Sequence, residues 1–468
     1  MRPSFGSDGA GRDRRPRRAL LPHRHPRGAP MPSAAPRRPG GPLAPAAVAL
    51  AFWVTMAGTT VPTPLYPLYQ RAFGFSTFTV TVIFAVYALG VVAGLLTLGR
   101  LSDRIGRRPV ILAALLLAAA AATLFELADS LPWLLAARVL SGFGAALVTG
   151  TATAALLDLA PPERRLRAQT VALAANMGGL AGGTLFAGVL AEWAGSPLRL
   201  PWTVTLVLTG AALLGLLAVP ETVPAEVRRA GRSGSPTGST LRFRPRLRPL
   251  HVPPGIRPAF LRAALAGGAG FAVTGVLTAV SGLFLATVLG LHNHALTGLV
   301  VALAFLSTAV GQLLVRVLPP ARALPLACAG LVLAAALVAG ALLGGTLPPL
   351  LLGACVNGLA TGTAIGTGLG TVNGGVEPHR RGEAVSAFFA VLFTMLSVPV
   401  IGVGVLVRAT GLRTAGVGFS AAVAVLALAV AAGLVRRPRH GASPVPTAAV
   451  PTAAEPAAAP AAARPGKA

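Results

Sequence analysis

Long apolar runs separated by short arginine-rich connections constrain this chain more than any other feature. Two of them, roughly residues 77–98 and 109–128, flank the stretch Gly99-Arg-Leu-Ser-Asp103-Arg104-Ile-Gly106-Arg107-Arg108-Pro109. Each run has about the 20 residues a helix needs to cross the hydrocarbon of a bilayer. Backbone in lipid must satisfy its own hydrogen bonds, so runs of this length are expected as helices. The connection carries four arginines and one aspartate. Arginine beside membrane ends is retained on the cytoplasmic side, so this loop orients its neighbours. Its glycines permit a tight turn. Asp103 is placed to accept from free helix N–H groups or to pair with Arg104 or Arg107.

The spacing Gly-x-x-x-Asp-Arg-x-Gly-Arg-Arg resembles the signature loop of the major facilitator superfamily of secondary transporters. Every main position is filled: Gly99, Asp103, Arg104, Gly106, Arg107 and Arg108. The resemblance implies a cytoplasmic loop between helices 2 and 3 whose charges latch two halves of the protein together in an outward-open state. It also implies an acid at the inner end of helix 4, where Asp158 stands.

Composition agrees with a chain in lipid. Of 468 residues, 54% are hydrophobic and 11% charged, where a soluble domain carries about 25% charged residues. The net charge of +27 does not mark a nucleic-acid binder, because the arginines cluster in tails and short loops and aromatic residues make up only 5%. That is too few for a stacking platform. The charge is read instead as orientation signal and attraction to anionic lipid. The abundance of Ala, Gly, Pro and Arg points to G+C-rich codons and a bacterial source. Cys328 and Cys355 fall inside apolar runs and are expected as small packing residues without a disulfide or metal.

The expected fold is an all-α integral membrane protein of twelve transmembrane helices, arranged as two six-helix pseudo-repeats. The first half covers 43–220 and the second 258–436, with a basic cytoplasmic linker at 221–257 and disordered tails at 1–42 and 437–468. Both tails are expected in the cytoplasm of a cell-membrane protein. The repeat is visible in residues. Gly311-Gln-Leu-Leu-Val315-Arg316 reads as a decayed copy of the signature loop, Pro378-His-Arg380-Arg381 echoes Pro162-Glu-Arg164-Arg165, and Gly358 answers Gly142. Val315 stands where the first copy has Asp103, so the charge latch is one-sided.

Within the spans, Arg138 lies about seven residues inside the fourth, near 10 Å deep at about 1.5 Å per residue. An arginine there is costly and marks a functional position, or else it snorkels to the surface. Arg138-x-x-x-Gly142-x-Gly144 resembles the family's helix 4 motif, which is linked to proton coupling in antiporters. Gly178, Gly182 and Gly183 resemble its helix 5 packing motif, with Gly182-Gly183 in place of the usual Gly-Pro pair. No Asp or Glu lies in the middle third of a span, so Glu126, near the outer end of span 3, is the expected switchable partner of Arg138. By the same resemblance helices 1, 4, 7 and 10 line a midplane cavity. Its candidate residues are Thr55, Thr149, Asn357 and Thr361, with Trp53 and Phe388 as walls, and the cavity is mostly apolar and neutral.

These features point to a secondary active exporter of small lipophilic compounds, driven by proton exchange with alternating access. Uptake or facilitated diffusion of a neutral metabolite is the alternative. The expected partners are a small-molecule substrate, protons and the bilayer, with no nucleic acid, no cofactor and a monomeric state. A membrane enzyme is disfavoured, because the seven histidines lie mainly in tails and loops and no acid cluster appears within a span.

Overall fold

A computed structural model of the chain describes residues 43–99, 101–225, 228, 253–377 and 380–435. Twelve helices among them are long and apolar enough to cross a membrane. They are α1 (Ala44–Phe73), α2 (Thr77–Leu98), α3 (Arg107–Glu126), α4 (Leu131–Leu159), α5 (Arg165–Trp193), α6 (Leu200–Leu217), α7 (Arg257–Val288), α8 (His294–Leu314), α9 (Pro320–Gly344), α10 (Leu347–Gly375), α11 (Arg381–Thr410) and α12 (Leu412–Val435). A one-turn helix, Leu101–Ile105, lies between α2 and α3. The expected tails at 1–42 and 437–468, and the linker apart from its two ends, fall outside the described residues.

The first helix runs further than its sequence suggests. Three prolines near residue 64 read as its end, yet helix continues to Phe73 and stops at Gly74, whose φ is +69°. It is built as two segments, Ala44–Thr60 and Pro62–Phe73, joined at Val61. Val61 keeps helical angles of φ −47° and ψ −42°. Pro62 and Pro64 fall in the first turn of the second segment, where a missing N–H costs least.

Burial sorts the helices into a centre and a rim. In the most apolar stretch of α1, α7 and α10, 61% of residues are buried, and in α4 56%, against 33% for α6 and 22% for α12. With α2, also at 56%, these four form the centre, and α6 and α12 are the least covered by other helices. Contacts between helices depend on glycine facing backbone. A Cβ at Gly142 of α4 would lie 2.5 Å from the Tyr87 carbonyl of α2, and one at Gly144 3.3 Å from the Ala114 carbonyl of α3. Gly358 of α10 faces the Ala304 carbonyl of α8 in the same way. The two halves thus repeat one helix crossing at corresponding residues, as the pairing of Gly142 with Gly358 predicts. Small residues allow this approach where lipid supplies no hydrophobic drive for association.

The halves meet along two long contacts, α2 with α11 and α5 with α8. On the face opposite the signature loop, the second segment of α1 also touches α7 and α8. No contact of comparable extent joins α4 to α10.

Candidate functional site

The signature loop folds into a polar cluster. The Arg107 guanidinium donates to Asp103 Oδ1 at 2.6 Å, Ser102 Oγ at 2.7 Å and Asp158 Oδ2 at 3.4 Å. The structure thus brings together Asp103, Arg107 and Asp158, while Arg104 is exposed. All of these contacts lie in the first half. Gly99 lies close to the second half, since a Cβ there would lie 3.3 Å from Ser386 Oγ of α11.

Sequence reading missed the residue that organises this loop. Glu221 was assigned to the start of the linker, but its carboxylate caps α3. Oε1 accepts from the backbone N–H of Arg107 at 2.9 Å and of Val223 at 3.0 Å, and Oε2 accepts from Arg108 N–H at 3.1 Å. A carboxylate at a helix N-terminus satisfies free donors and meets the positive end of the helix dipole. Gly106 makes this possible. Its φ is +114°, and a Cβ there would overlap the Glu221 carboxylate. Thr222 then donates to Asp158 Oδ2 at 3.3 Å, and the Arg108 side chain to the Leu217 carbonyl at 3.0 Å. The ends of α4 and α6 are thereby tied to the loop. The signal available in sequence was an acid beside a proline at a helix end, Pro220-Glu221.

Arg138 is 1% exposed, so it does not snorkel to the surface, and its bonds hold helix segments together from within. Its Nη1 donates to the Thr59 carbonyl at 2.6 Å and its Nη2 to the Tyr66 hydroxyl. These acceptors lie on the two segments of α1, so one guanidinium bridges the Val61 junction. The rings of Tyr66, Tyr87 and Phe125 lie within 5.5–5.7 Å of Cζ. Cation–π contacts of this kind contribute about 0.5–2 kcal/mol each. Phe125 stacks on Trp202 at 4.3 Å, and the Trp202 indole N–H donates to Tyr69 OH at 2.8 Å. All three tyrosines of the chain therefore belong to this cluster. The expected pair with Glu126 is not formed. Glu126 accepts from Thr203 Oγ1 of α6 at 2.8 Å, because it ends α3 on the side facing α6 while Phe125 faces the arginine. No carboxylate of a described residue pairs with Arg138.

The opposite face is closed by the second segment of α1. His294 heads α8, and its backbone N–H donates to Glu192 Oε2 of α5 at 2.8 Å. Its Nδ1 lies 3.1 Å from the Pro64 carbonyl. The helix start thus draws His294 between the halves. A Cβ at Gly282 of α7 would lie 3.0 Å from Pro67 Cγ, and one at Gly188 of α5 2.5 Å from the His294 carbonyl.

The cavity candidates fall in several places. Trp53 packs on α5, where Cβ atoms at Gly178 and Gly182 would lie 3.7 Å and 2.5 Å from its indole. Gly183 faces the Ala57 carbonyl and Thr60 Oγ1 on the same α1–α5 contact. Thr149 bonds back to the Ala145 carbonyl at 2.7 Å and approaches Met56 Sδ of α1 at 3.9 Å. Thr55, Asn357, Thr361 and Phe388 are each 0–1% exposed. Thr55 and Thr361 bond back to carbonyls of their own helices at 2.7 Å and 2.6 Å. The Asn357 amide donates to Thr274 Oγ1 of α7 at 3.0 Å and the Gly270 carbonyl at 3.3 Å, leaving Oδ1 unpartnered. Phe388 meets Phe260 edge-on at 5.6 Å inside the second half. Three mid-span phenylalanines absent from the sequence reading lie between the halves instead. Phe271 of α7 and Phe393 of α11 meet edge-on at 5.7 Å, and with Phe305 of α8 they are half-buried against an apolar cluster in which first-half core residues meet Ala279, Val280, Leu396 and Val400 of the second half. Among the described residues, no three His, Cys, Asp or Glu side chains converge as metal ligands.

The fold and these sites define a multi-pass helical bundle of two repeated halves that pack across a central seam. The chain matches the Major Facilitator Superfamily over residues 48–400, and it belongs to that family of transporters. Relatives include the putative multidrug resistance protein MdtD of Klebsiella pneumoniae (strain 342), 31% identical over 148 residues, 31% of each chain. Multidrug resistance protein MdtL of Shigella dysenteriae serotype 1 (strain Sd197) is 29% identical over 167 residues, covering 34% of this chain and 41% of that one. The chain spans about a third of the length of the first of these relatives and two-fifths of the second. Among solved structures, a bacterial homologue of the human lysosomal transporter Spinster, inward-facing and unoccupied, superposes with a TM-score of 0.66 at 17% identity over 84% of this chain and 98% of that one. The human organic anion transporter MFSD10 (TETRAN) gives 0.55 at 18% over 83% and 99%.

Proposed function

We propose that this transporter exports small, neutral or weakly polar lipophilic compounds. The supporting observation is a set of mid-span phenylalanines, the Phe271–Phe393 pair and Phe305, half-buried against an apolar cluster that both halves share and without a charged neighbour among their named contacts. Likeness to proteins named for multidrug resistance agrees with this reading. The arginines of the signature loop support a cytoplasmic position for it; on that orientation the face closed by the second segment of α1 is the outer one, and we read the conformation as inward-facing. Asp103, Arg107 and Asp158, with Glu221 beneath them, form the loop's half of the latch and engage α11 near Ser386 when the inner face closes.

Proton exchange is the proposed drive, with Arg138 as the group that must lose or change partners. Facilitated diffusion is the second reading, and one observation favours it: Glu126 is held by Thr203 and no acid stands beside Arg138. Everted membrane vesicles holding a pH-sensitive dye distinguish the two. A panel of neutral lipophilic antibiotics and dyes added under a proton gradient releases protons in antiport and none in facilitated diffusion. Unchanged cellular accumulation of the whole panel, with and without the protein and with Asp103→Asn, refutes transport of this substrate class.

A further inference from the structure

We propose that the second half contains a binding site for one small neutral lipophile that offers a single hydrogen-bond acceptor, a ketone or ether oxygen, to Ser281. The site is a partly open pocket of about 40 Å³ between α7, α9, α10, α11 and α12. A cavity of this size admits about three waters or a guest of a few heavy atoms. Its walls are apolar, formed by residues such as Val273, Leu277, Phe284, Leu342, Leu350 and Phe419. Ser281 is the one hydroxyl in the lining. It is 3% exposed and its Oγ has no partner.

That free hydroxyl departs from its own helix. One and two turns earlier, Thr278 and Thr274 bond back to the carbonyls of Thr274 and Gly270 at 2.7 Å and 3.0 Å. Ser281 makes no such bond, which leaves a donor aimed into a dry space. A buried hydroxyl without a partner is costly. Water does not relieve it, because a water needs two to four polar partners and this lining offers one.

The pseudo-repeat shows why the space exists. In the first half, the corresponding helices α1, α3, α4 and α6 are filled by Arg138, Phe125 and Trp202. Gly358 corresponds to Gly142, so the residue four before it, Ala354, corresponds to Arg138. A methyl therefore stands where the first half has a guanidinium. Ala354 lies one turn from Leu350, which lines the pocket, and Gly416 lines it on α12. Small residues thus stand at or beside the pocket on two of its helices. A neutral guest fits, since no charged side chain lines the walls. The site lies inside one half rather than between the halves, so it is separate from the transport reading.

The test uses purified full-length protein in detergent micelles, with thermal unfolding followed by tryptophan fluorescence. The probes are acetone and isobutene, four heavy atoms each, which share a shape and differ in the acceptor. In the wild type, acetone raises the midpoint by about 2 °C or more beyond the hydrocarbon. Ser281→Ala reduces the ketone's shift to that of the hydrocarbon. Gly416→Ala abolishes both shifts, because its new Cβ would lie 2.5 Å from Leu342 Cδ1 and drive that flexible end into the cavity. If Gly416→Ala folds poorly, Leu350→Phe fills the same space. Equal shifts by the two probes in wild type and Ser281→Ala overturn the hydrogen bond. Shifts that survive cavity filling overturn the location, and no shift in the wild type overturns the site.

Discussion

The tie between Gly106 and Glu221 yields the sharpest prediction. Gly106 has φ +114° and ψ 159°, a region that costs a side chain about 1–3 kcal/mol. In Gly106→Ala the methyl also displaces the Glu221 carboxylate and removes the cap of α3, about 0.5–2 kcal/mol more. The single substitution therefore costs roughly 1.5–5 kcal/mol, and Glu221→Ala, which removes the cap alone, about 0.5–2 kcal/mol. The double variant should be no worse than Gly106→Ala within about 0.5 kcal/mol, since both changes lose the same cap. Equilibrium unfolding from mild detergent by sodium dodecyl sulfate, read by tryptophan fluorescence, gives all three values. Costs that simply add would show that Gly106 is not making room for Glu221.

Three further outcomes are expected. Arg138→Lys cannot reach both segments of α1 from one ammonium, so stability falls by about 2 kcal/mol and transport is lost. Wild-type transport in this variant refutes the bridging role. Gly183→Ala sets a methyl against the Ala57 carbonyl, and overpacking of this kind costs about 1–3 kcal/mol. The measurement is the yield of folded protein, and an unchanged yield refutes the close α1–α5 contact. Pro67→Cys with Gly282→Cys, in a background with Cys328→Ser and Cys355→Ser, should crosslink on oxidation and block transport until reduced. Uninhibited transport by the crosslinked protein refutes a moving gate at that contact.

The bundle was legible in sequence because a backbone in lipid has few options, and runs of apolar length announce them. The doubling was legible because glycines at helix crossings cannot drift, as Gly142 and Gly358 show. Which side of a helix a residue faces was much harder to read. Glu126 and Arg138 lie on adjacent spans at suitable depth, but a rotation of one residue hands Phe125 to the arginine and Glu126 to Thr203. Asn357 and Phe388 were assigned to the seam by helix number and turn into their own half instead. Phe271, Phe393 and Phe305 escaped notice because an apolar residue in a span looks the same whether it meets lipid, core or seam. Glu221 escaped because a polar stretch after a span reads as linker until its carboxylate is seen on α3.

The two long contacts between the halves have a mechanical consequence. Gly188 and Gly298 lay bare backbone against the partner helix on the α5–α8 side, and Gly404 lies against Thr81 on the α2–α11 side. A joint of this kind has few interlocked side chains to climb over when one half rolls on the other. It behaves as a smooth bearing, tolerant of rotation and sensitive to a single added methyl. A bound substrate then needs only to bias a motion that the seam itself does little to resist.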